Sequence, residues 1–310
     1  MLSTRLRQVV SALLLVTAAT ACTDTARTPS LTAAPRTVEL TPGTIGGIGP
    51  RYVAMGDSAA AAPLVPPQAK PIGCLKSSND YPSVLARRIG AASFTDVTCT
   101  GARTEDLQSR SQLTRSGPMP PQLDAVAADT QLVTLTIGGN DIDLPSNAIK
   151  CRRTTLDVPP CTQDLVVDGV DGISQSIDED ADRWSKLIAA IRAKAPDARV
   201  IVVGYGTYVR PEGCFPEQPI NPVDAAYFQA KIDELDGRLE KVATDQGAEF
   251  FDTRTLSDGH DICAAPQDRY IEASSLRCPP LPYIPTAGAQ RRSGPLWPPS
   301  SARRPNDPRP

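Results

Sequence analysis

The stretch LVTLTIGGND, Leu132 to Asp141, decides the fold of this chain. Its first six residues are almost all apolar or β-branched, which predicts a strand that is buried on both faces. Two glycines end the strand, and an Asn-Asp pair follows them. Strands of this kind belong to parallel sheets whose two faces are covered by helices. The stretch therefore predicts an α/β protein.

Strand and helix patterns alternate on both sides of this stretch. Short apolar runs predict further strands at 52–55, 94–98, 199–203 and 249–252. Helical spacing of apolar residues predicts helices at 81–89, 122–128, 173–193 and 223–243. The alternation predicts a three-layer sandwich around a central parallel sheet, and sheets of this kind bind ligands beyond the carboxyl ends of their strands.

Composition limits the classes of function. The chain has 310 residues, of which 40% are hydrophobic, enough for one sizeable α/β domain. Its net charge of -3 argues against nucleic acid as a partner, because binding to phosphates needs a basic surplus. The low aromatic content of 5% also argues against stacking on bases. We expect a monomer that needs no cofactor.

The N-terminus has the pattern of an export signal. Arg5 and Arg7 precede an apolar stretch at 9–21, which is too short to span a bilayer. Small residues before Cys22 resemble a lipobox, so we predict a signal peptide of the lipoprotein type over 1–21, with a lipid attached to Cys22. Ordinary cleavage before an unmodified Cys22 is the alternative. Residues 22–50 are rich in Thr and Pro and predict a flexible tether.

Export makes the cysteines informative. The chain has eight cysteines, and an oxidising compartment favours their pairing. Six paired cysteines allow 15 connectivities, so their order alone does not choose among them. None of them shows the spacing of a zinc site, and we expect no metal.

Three short polar motifs follow the first three predicted strands. They are Gly56-Asp57-Ser58, Thr100-Gly101-Ala102 and Gly139-Asn140-Asp141. Each motif alone is typical of an ordinary turn. Together they place a serine, a glycine and an asparagine at one edge of the sheet. An ester hydrolase needs hydrogen-bond donors where the substrate carbonyl becomes an oxyanion, and this set can supply them.

The three motifs resemble blocks I, II and III of the SGNH/GDSL hydrolases. The matching segments are YVAMGDS at 52–58, CTGAR at 99–103 and TIGGND at 136–141. The resemblance is strongest to the secreted, disulfide-bonded esterase branch and implies the flavodoxin-like fold of that family. The absence of Gly-x-Ser-x-Gly argues against an α/β-hydrolase.

The resemblance also implies roles for individual residues. Ser58 corresponds to the nucleophile. The amides of Ser58, Gly101 and Asn140 correspond to the oxyanion hole. The same branch has cysteines that match three pairs in this chain, which leaves Cys278 unpaired: Cys74–Cys99, Cys151–Cys161 and Cys214–Cys263.

The match fails at the fifth block, where the family has a His-Pro pair that supplies the general base. The corresponding stretch is YIPTAG at 283–288, and Ile284 stands where the histidine belongs. A serine hydroxyl is a poor nucleophile without a base. His260 is the only histidine in the chain. The family has a similar segment, and its catalytic histidine lies elsewhere. We therefore expect His260 to be a loop residue and not the base.

The C-terminal sequence suggests a shifted reading frame. Residues 290–310 form a Pro- and Arg-rich tail without apolar periodicity, where the resemblance places a closing helix. If Tyr283-Ile284-Pro285 is encoded TAC-ATC-CCC, a shifted frame reads CAT-CCC, which is His-Pro. We therefore predict a frameshift upstream of Tyr283, close to the end of a hydrolase domain that spans 51–289. A natural irregular tail is the alternative.

Two functions follow as hypotheses. The first is a serine-dependent carboxylester hydrolase or lipase that acts through an acyl-Ser58 intermediate on small ester or lipid substrates. In this chain the loss of the histidine would impair the hydrolase. The second is a non-catalytic surface lipoprotein that binds an acyl or glycan ligand. Either protein would be secreted or held at the outer face of the cell membrane, touching the membrane only through Cys22.

Overall fold

The structure, a computed structural model, describes residues 49–266 and 268–271. The predicted signal peptide, Cys22 and most of the predicted tether lie outside the described residues. So do Cys278, Ile284 and the C-terminal tail. Among the helices that the structure describes, none is both long enough and apolar enough to cross a membrane.

Five parallel strands form the central sheet, which stands in the order β2-β1-β5-β8-β9. The remaining strands form two small antiparallel hairpins, β3-β4 and β6-β7. In chain order, the strands of the described residues are β1 Arg51–Gly56, β2 Ser93–Asp96, β3 Gln112–Thr114, β4 Gly117–Met119, β5 Leu132–Thr136, β6 Val166–Val167, β7 Val170–Asp171, β8 Arg199–Val203 and β9 Glu249–Phe251.

Helices connect the parallel strands. Two of them, α5 and α6, are long and pack against each other. The α-helices of the described residues are α1 Ser58–Ala61, α2 Tyr81–Arg88, α3 Thr104–Gln108, α4 Leu144–Lys150, α5 Gly172–Lys194, α6 Pro222–Asp245 and α7 Arg254–Ser257. Short 3-10 helices lie at Ile72–Cys74, Gln122–Ala125 and Cys161–Asp164.

The sheet separates two apolar clusters, as a three-layer sandwich requires. Side chains along β1 alternate between the two faces. Tyr52 and Ala54 pack with Ala86 of α2. Val53 and Met55 belong to a larger cluster that α5 and α6 complete, with Trp184, Ile188, Phe228 and Leu235 among its members. The predicted α/β sandwich with a central parallel sheet is confirmed.

The two long helices begin at well-formed caps. The Asp171 carboxylate accepts the N–H groups of Ile173 and Ser174 at the start of α5. Asn221 caps α6, whose first residue is Pro222, a position where the missing N–H costs nothing. These local signals explain why both helices form near the predicted places.

One of the predicted helices does not form. We expected a helix at 122–128, and the structure has only a 3-10 turn over Gln122–Ala125. The buried side chain of Gln122 accepts the N–H of Gly56 at 2.7 Å and donates to the carbonyl oxygen of Gly56 at 3.0 Å. The segment is thus held against the end of β1 by an amide side chain.

Three disulfides lie in the described residues, and they are the pairs that the resemblance implied. They join Cys74 to Cys99, Cys151 to Cys161 and Cys214 to Cys263. The first two bonds each involve a 3-10 helix, through Cys74 and Cys161, and the third joins two loops. The first lies beside the proposed catalytic residues.

Candidate active site

The loops that follow β1, β2 and β5 meet at one edge of the sheet, because parallel strands present their carboxyl ends on the same side. These loops carry Ser58, Gly101 and Asn140. The Nδ2 of Asn140 donates to the carbonyl oxygen of Ala102 at 3.0 Å and lies 3.5 Å from Oδ2 of Asp57. Asn140 therefore contacts the chain neighbours of both Gly101 and Ser58.

Ser58 is the first residue of the one-turn helix α1. Asp57 caps this helix, and its Oδ1 accepts the N–H of Ala59 at 2.9 Å. A Cβ on the preceding Gly56 would lie 2.5 Å from the carbonyl oxygen of Thr136, so the turn requires glycine. Neither the hydroxyl nor the N–H of Ser58 has a hydrogen-bond partner among the described residues. Within the described part of the chain, both groups are therefore available to a substrate.

Gly101 lies in a loop that is held from two sides. The N–H of Thr100 donates to the carbonyl oxygen of Cys74 at 3.1 Å, and Gln112 Nε2 donates to the carbonyl oxygen of Thr100 at 2.9 Å. Gly101 itself has φ of +80°, which favours glycine, and is exposed. Its N–H makes no hydrogen bond within the part of the chain that the structure describes. A fixed loop thus presents a free amide.

A buried network connects the serine turn to the asparagine loop. The hydroxyl of Tyr205 donates to Oδ2 of Asp57 at 2.6 Å and accepts the N–H of Gly139 at 2.8 Å. Burial raises the pKa of the Asp57 carboxyl to about 7, and the hydrogen bond from Tyr205 opposes that rise. A Cβ on Gly139 would lie 3.2 Å from the Tyr205 ring, so glycine allows this close approach.

Asp141 fixes the other side of the asparagine loop. Its carboxylate accepts three hydrogen bonds: from the N–H of Thr104 at 2.8 Å, from the hydroxyl of Thr104 at 2.7 Å and from Nε1 of Trp184 at 2.9 Å. Thr104 begins α3 and Trp184 lies in the middle of α5. Asp141 therefore ties the Asn140 loop to two helices, which limits the movement of the Asn140 side chain, a proposed oxyanion donor.

His260 is engaged away from Ser58. Its Nδ1 pairs with the carbonyl oxygen of Asp268, and its ring stacks on Tyr270 with a centroid distance of 4.0 Å. No described imidazole or carboxylate forms a hydrogen bond with the Ser58 hydroxyl. These contacts agree with the prediction that His260 is a loop residue. The predicted position of the base, Ile284, lies outside the described residues.

A cleft of about 470 Å³ opens beside Gly101. Arg103 and Arg110 lie on its wall, and both are paired: Arg103 with Asp143, and Arg110 with Glu105 and Asp106. Its lining residues are Thr100, Gly101, Arg103, Asp106, Arg110, Ser111, Gln112 and Leu113. Of the proposed oxyanion donors, Gly101 lines this cleft, and Ser58 and Asn140 do not. The cleft can therefore receive the part of a substrate that lies beside Gly101.

One group of potential metal ligands lies elsewhere in the described residues. Ligand atoms of Cys151, Cys161 and Asp224 are within 4.8 Å of one another. The two sulfur atoms are joined in a disulfide, and the Asp224 carboxylate accepts the N–H groups of Cys161 and Thr162. The sulfur atoms and the carboxylate are already engaged in contacts that hold this loop. These residues therefore do not fit a metal site.

Comparison with known proteins shows which family the chain belongs to. The model of the GDSL-like Lipase/Acylhydrolase family matches residues 54–276. The chain belongs to this family. Lipase 2 of Streptomyces coelicolor is 35% identical over 254 residues, a match that covers 78% of this chain and 82% of the relative. A lipase of Streptomyces rimosus is 28% identical over 246 residues and covers the same shares of the two chains, 78% and 82%.

Solved structures support the fold of this GDSL-family chain. Phospholipase A1 from Streptomyces albidoflavus aligns with a TM-score of 0.56 at 24% identity, covering 72% of this chain and 86% of that one. The extracellular lipase from Streptomyces rimosus aligns with a TM-score of 0.54 at 24% identity, covering 71% and 92%. Likeness at this level of identity shows a shared fold, and the predicted SGNH fold is thereby confirmed.

The sequence did not reveal the side chains that support the site. Tyr205, Gln122 and Thr104 make the contacts described above, and none of them was singled out. Tyr205 follows β8 directly, so its place at the sheet edge could have been inferred. Its bond to Asp57 joins residues 148 positions apart and needs the strand order to be recognised.

Proposed function

We propose that this chain is a serine ester hydrolase in which Ser58 is the nucleophile. The observation that carries the proposal is the cluster formed by Asn140, which contacts the neighbours of both Ser58 and Gly101. Membership of the GDSL-like family supports it, as do relatives that are named lipases and esterases.

The geometry supports acyl transfer in two steps. The Ser58 hydroxyl oxygen attacks the carbonyl carbon of an ester and loses its proton to a base. The amides of Ser58 and Gly101 and the side chain of Asn140 stabilise the oxyanion. The alcohol leaves with a proton and an acyl-Ser58 ester remains. Water then attacks this ester, releases the acid and returns the proton to Ser58.

We propose that the proton acceptor is the part that this chain lacks. The family match ends at residue 276, before Ile284, where the resemblance places the histidine. We propose that a shifted reading frame upstream of Tyr283 has removed both the base and the closing helix. Loss of the base lowers the rate by roughly 10²–10⁴-fold, the usual contribution of proton transfer. The remaining oxyanion donors account for residual activity.

We further propose that the protein is exported and attached to the outer face of the cell membrane by lipid on Cys22. The basic and apolar pattern of residues 1–21 and the small residues before Cys22 support this. Disulfides in the described domain suit an oxidising compartment. Residues 22–50 would act as a tether for a monomeric domain.

The test compares three chains by p-nitrophenyl ester hydrolysis and thermal melting: the unmodified chain, Ile284→His, and a chain with the shifted frame restored. We expect strong activity only from the third. Ile284→His rescues little, since the closing helix that would hold the base is still missing. In the restored chain Ser58→Ala abolishes turnover, and Ser176→Ala, a change at a half-buried serine on α5, leaves it unchanged.

Two results would contradict the proposal. Full turnover after Ser58→Ala would exclude Ser58 as the nucleophile. Strong activity from the unmodified chain would show that His260 or another group is the base. The alternative, a non-catalytic lipoprotein, is favoured by one observation, the isoleucine at position 284. Resequencing that confirms the present frame, together with an inactive restored chain, would support it.

A further inference from the structure

Four large apolar side chains are exposed on segments that border the proposed site. They lie on the loop after α1, on the 3-10 turn beside Cys74 and on the β3-β4 hairpin. We call them the apolar rim: Leu64, Ile72, Leu75 and Leu113, with exposed fractions of 64%, 56%, 39% and 84%. Soluble proteins rarely gather exposed apolar residues of this size without an interaction to serve.

Contacts hold two of these segments, the 3-10 turn and the hairpin, together around Gly101. The carbonyl oxygen of Cys74 and the side chain of Gln112 both bond to Thr100, next to Gly101. The turn and the hairpin also touch each other directly: a Cβ on Gly73 would lie 2.2 Å from the Oγ1 of Thr114. Ile72 and Leu113, the neighbours of these two contact residues, therefore belong to one rim beside the cleft.

Two of the rim residues have an unfavourable backbone. Leu64 has φ of +67° and Leu75 has φ of +54°, a region that side chains with a Cβ avoid. Strained leucines are normally tolerated when burial compensates for the strain, but both of these side chains are exposed. The isolated fold gains little from leucine at either place. We therefore attribute the leucines to an interaction beyond the described fold.

The charges on the rim segments themselves have one sign, although the cleft wall beside them also carries Asp106. Residues 62–75 contain Lys70 as their only charged side chain, and residues 111–119 contain only Arg115. Both are exposed, and neither forms an ion pair with another described residue. The chain as a whole has a net charge of -3, so these two segments stand out as cationic. Exposed apolar residues combined with free cations suit an anionic lipid surface.

We propose that the apolar rim, with Lys70 and Arg115, docks onto the surface of an anionic lipid bilayer. Docking places the cleft beside Gly101 at the boundary between lipid and water, where ester bonds of lipids lie. The benefit to catalysis rests on the proposed ester hydrolysis. The binding itself does not, and it is measured in the Ser58→Ala variant so that the two proposals fail separately.

The test is sedimentation with vesicles of phosphatidylcholine alone and of phosphatidylcholine with phosphatidylglycerol. The full chain carries Cys22→Ser in every variant, which prevents lipid attachment. We expect Ile72→Asp with Leu113→Asp to lower the partition coefficient on both vesicles about tenfold or more, as the loss of two buried apolar side chains implies. Lys70→Glu with Arg115→Glu lowers binding only to the vesicles with phosphatidylglycerol.

The matched control is Leu256→Asp, a change at an exposed leucine on α7 outside the rim. It should bind like the parent chain. A second readout, tryptophan fluorescence, does not depend on loss of binding. With vesicles, the fluorescence of Leu113→Trp should shift to the blue and be quenched by brominated lipid. The fluorescence of Leu256→Trp should show neither change. Equal binding by the parent and the rim variants, or equal responses of the two tryptophans, would overturn the proposal.

Discussion

At the scale of single residues, Tyr205 connects the two halves of the proposed site. Its hydroxyl has one proton to donate, which goes to Asp57, and it accepts the N–H of Gly139. Gly139 precedes Asn140, and Asp57 precedes Ser58. One hydroxyl thus fixes the backbone beside the oxyanion donor relative to the backbone beside the nucleophile. Tyr205 touches no substrate in this scheme and acts as a positioning residue.

Tyr205→Phe tests this role in the chain with the restored frame. Loss of the hydroxyl leaves the N–H of Gly139 without its acceptor and frees the Asn140 loop. We expect kcat to fall about tenfold with little change in KM, since misplacing an oxyanion donor weakens transition-state binding. The pKa of Asp57 should also rise above about 7, because the hydrogen bond that lowers it is gone.

Tyr208→Phe is the matched control for this change. Tyr208 packs edge-on against Tyr205 with ring centroids 6.2 Å apart, and its hydroxyl forms no hydrogen bond to another described residue. Its removal should leave kcat unchanged. If both variants lose kcat equally, the effect comes from packing, and Tyr205 has no special positioning role.

At the scale of elements, the sequence predicted the strands better than the turns. The runs at 132–137 and 199–203 are apolar enough to identify buried strands, and both appear, as β5 and β8. The hairpin β3-β4 was missed, since strands of three residues are too short to show a period. The helix predicted from Gln122 onward does not form. The pairing of Gln122 with Gly56 depends on tertiary contacts, which the local sequence does not show.

The same limit applies to the candidate site. Motifs directly after strands located Ser58, Gly101 and Asn140, because a strand end fixes where the next residue lies. The supporting contacts of Asp141 with Thr104 and Trp184 cross between distant segments. They follow from strand order and helix packing, which a single sequence does not specify.

The three disulfides give a prediction at this scale. They join cysteines that are 10, 25 and 49 positions apart: Cys151–Cys161, Cys74–Cys99 and Cys214–Cys263. In the chain-entropy model each contributes about 2–4 kcal/mol, more for a longer loop. We expect paired Cys→Ala changes to lower the free energy of unfolding in urea most for Cys214–Cys263 and least for Cys151–Cys161.

Non-reducing peptide mapping complements these unfolding measurements. It should recover the same three links and leave Cys278 free. A peptide that joins Cys278 to any of the six cysteines would contradict the pairing. A reversed order of destabilisation would show that native packing, and not loop length, determines what each bond contributes.

At the scale of the whole molecule, buried carboxyl groups affect how stability depends on pH. Asp236 is fully buried and accepts the N–H groups of Tyr205 and Gly206. Burial raises the pKa of Asp236 to about 6, and that of Asp57 to about 7. The amide and hydroxyl donors lower both values but do not offset the loss of hydration.

The sign of the effect follows from linkage. Both carboxyls have a higher pKa in the folded chain than the ordinary value of 3.8, so the folded state holds protons that the unfolded state has released. Their contribution to stability is complete below about 3.8 and is lost as the pH rises through about 6 to 7. We therefore expect the Tm to fall from pH 5 to pH 8. A loss of ~1 kcal/mol corresponds to about 2–4 °C for a domain of this size.

Calorimetry at both pH values on Asp236→Asn and Asp57→Asn checks this expectation. Each change removes a group that titrates and keeps an acceptor oxygen, so each variant should show a smaller fall in Tm between the two pH values. Asp197→Asn, at an exposed position, should behave like the parent chain. A Tm that rises with pH in the parent would mean that these carboxyls are already ionised in the folded protein. Their hydrogen bonds with Tyr205 and the neighbouring amides would then outweigh the cost of burial.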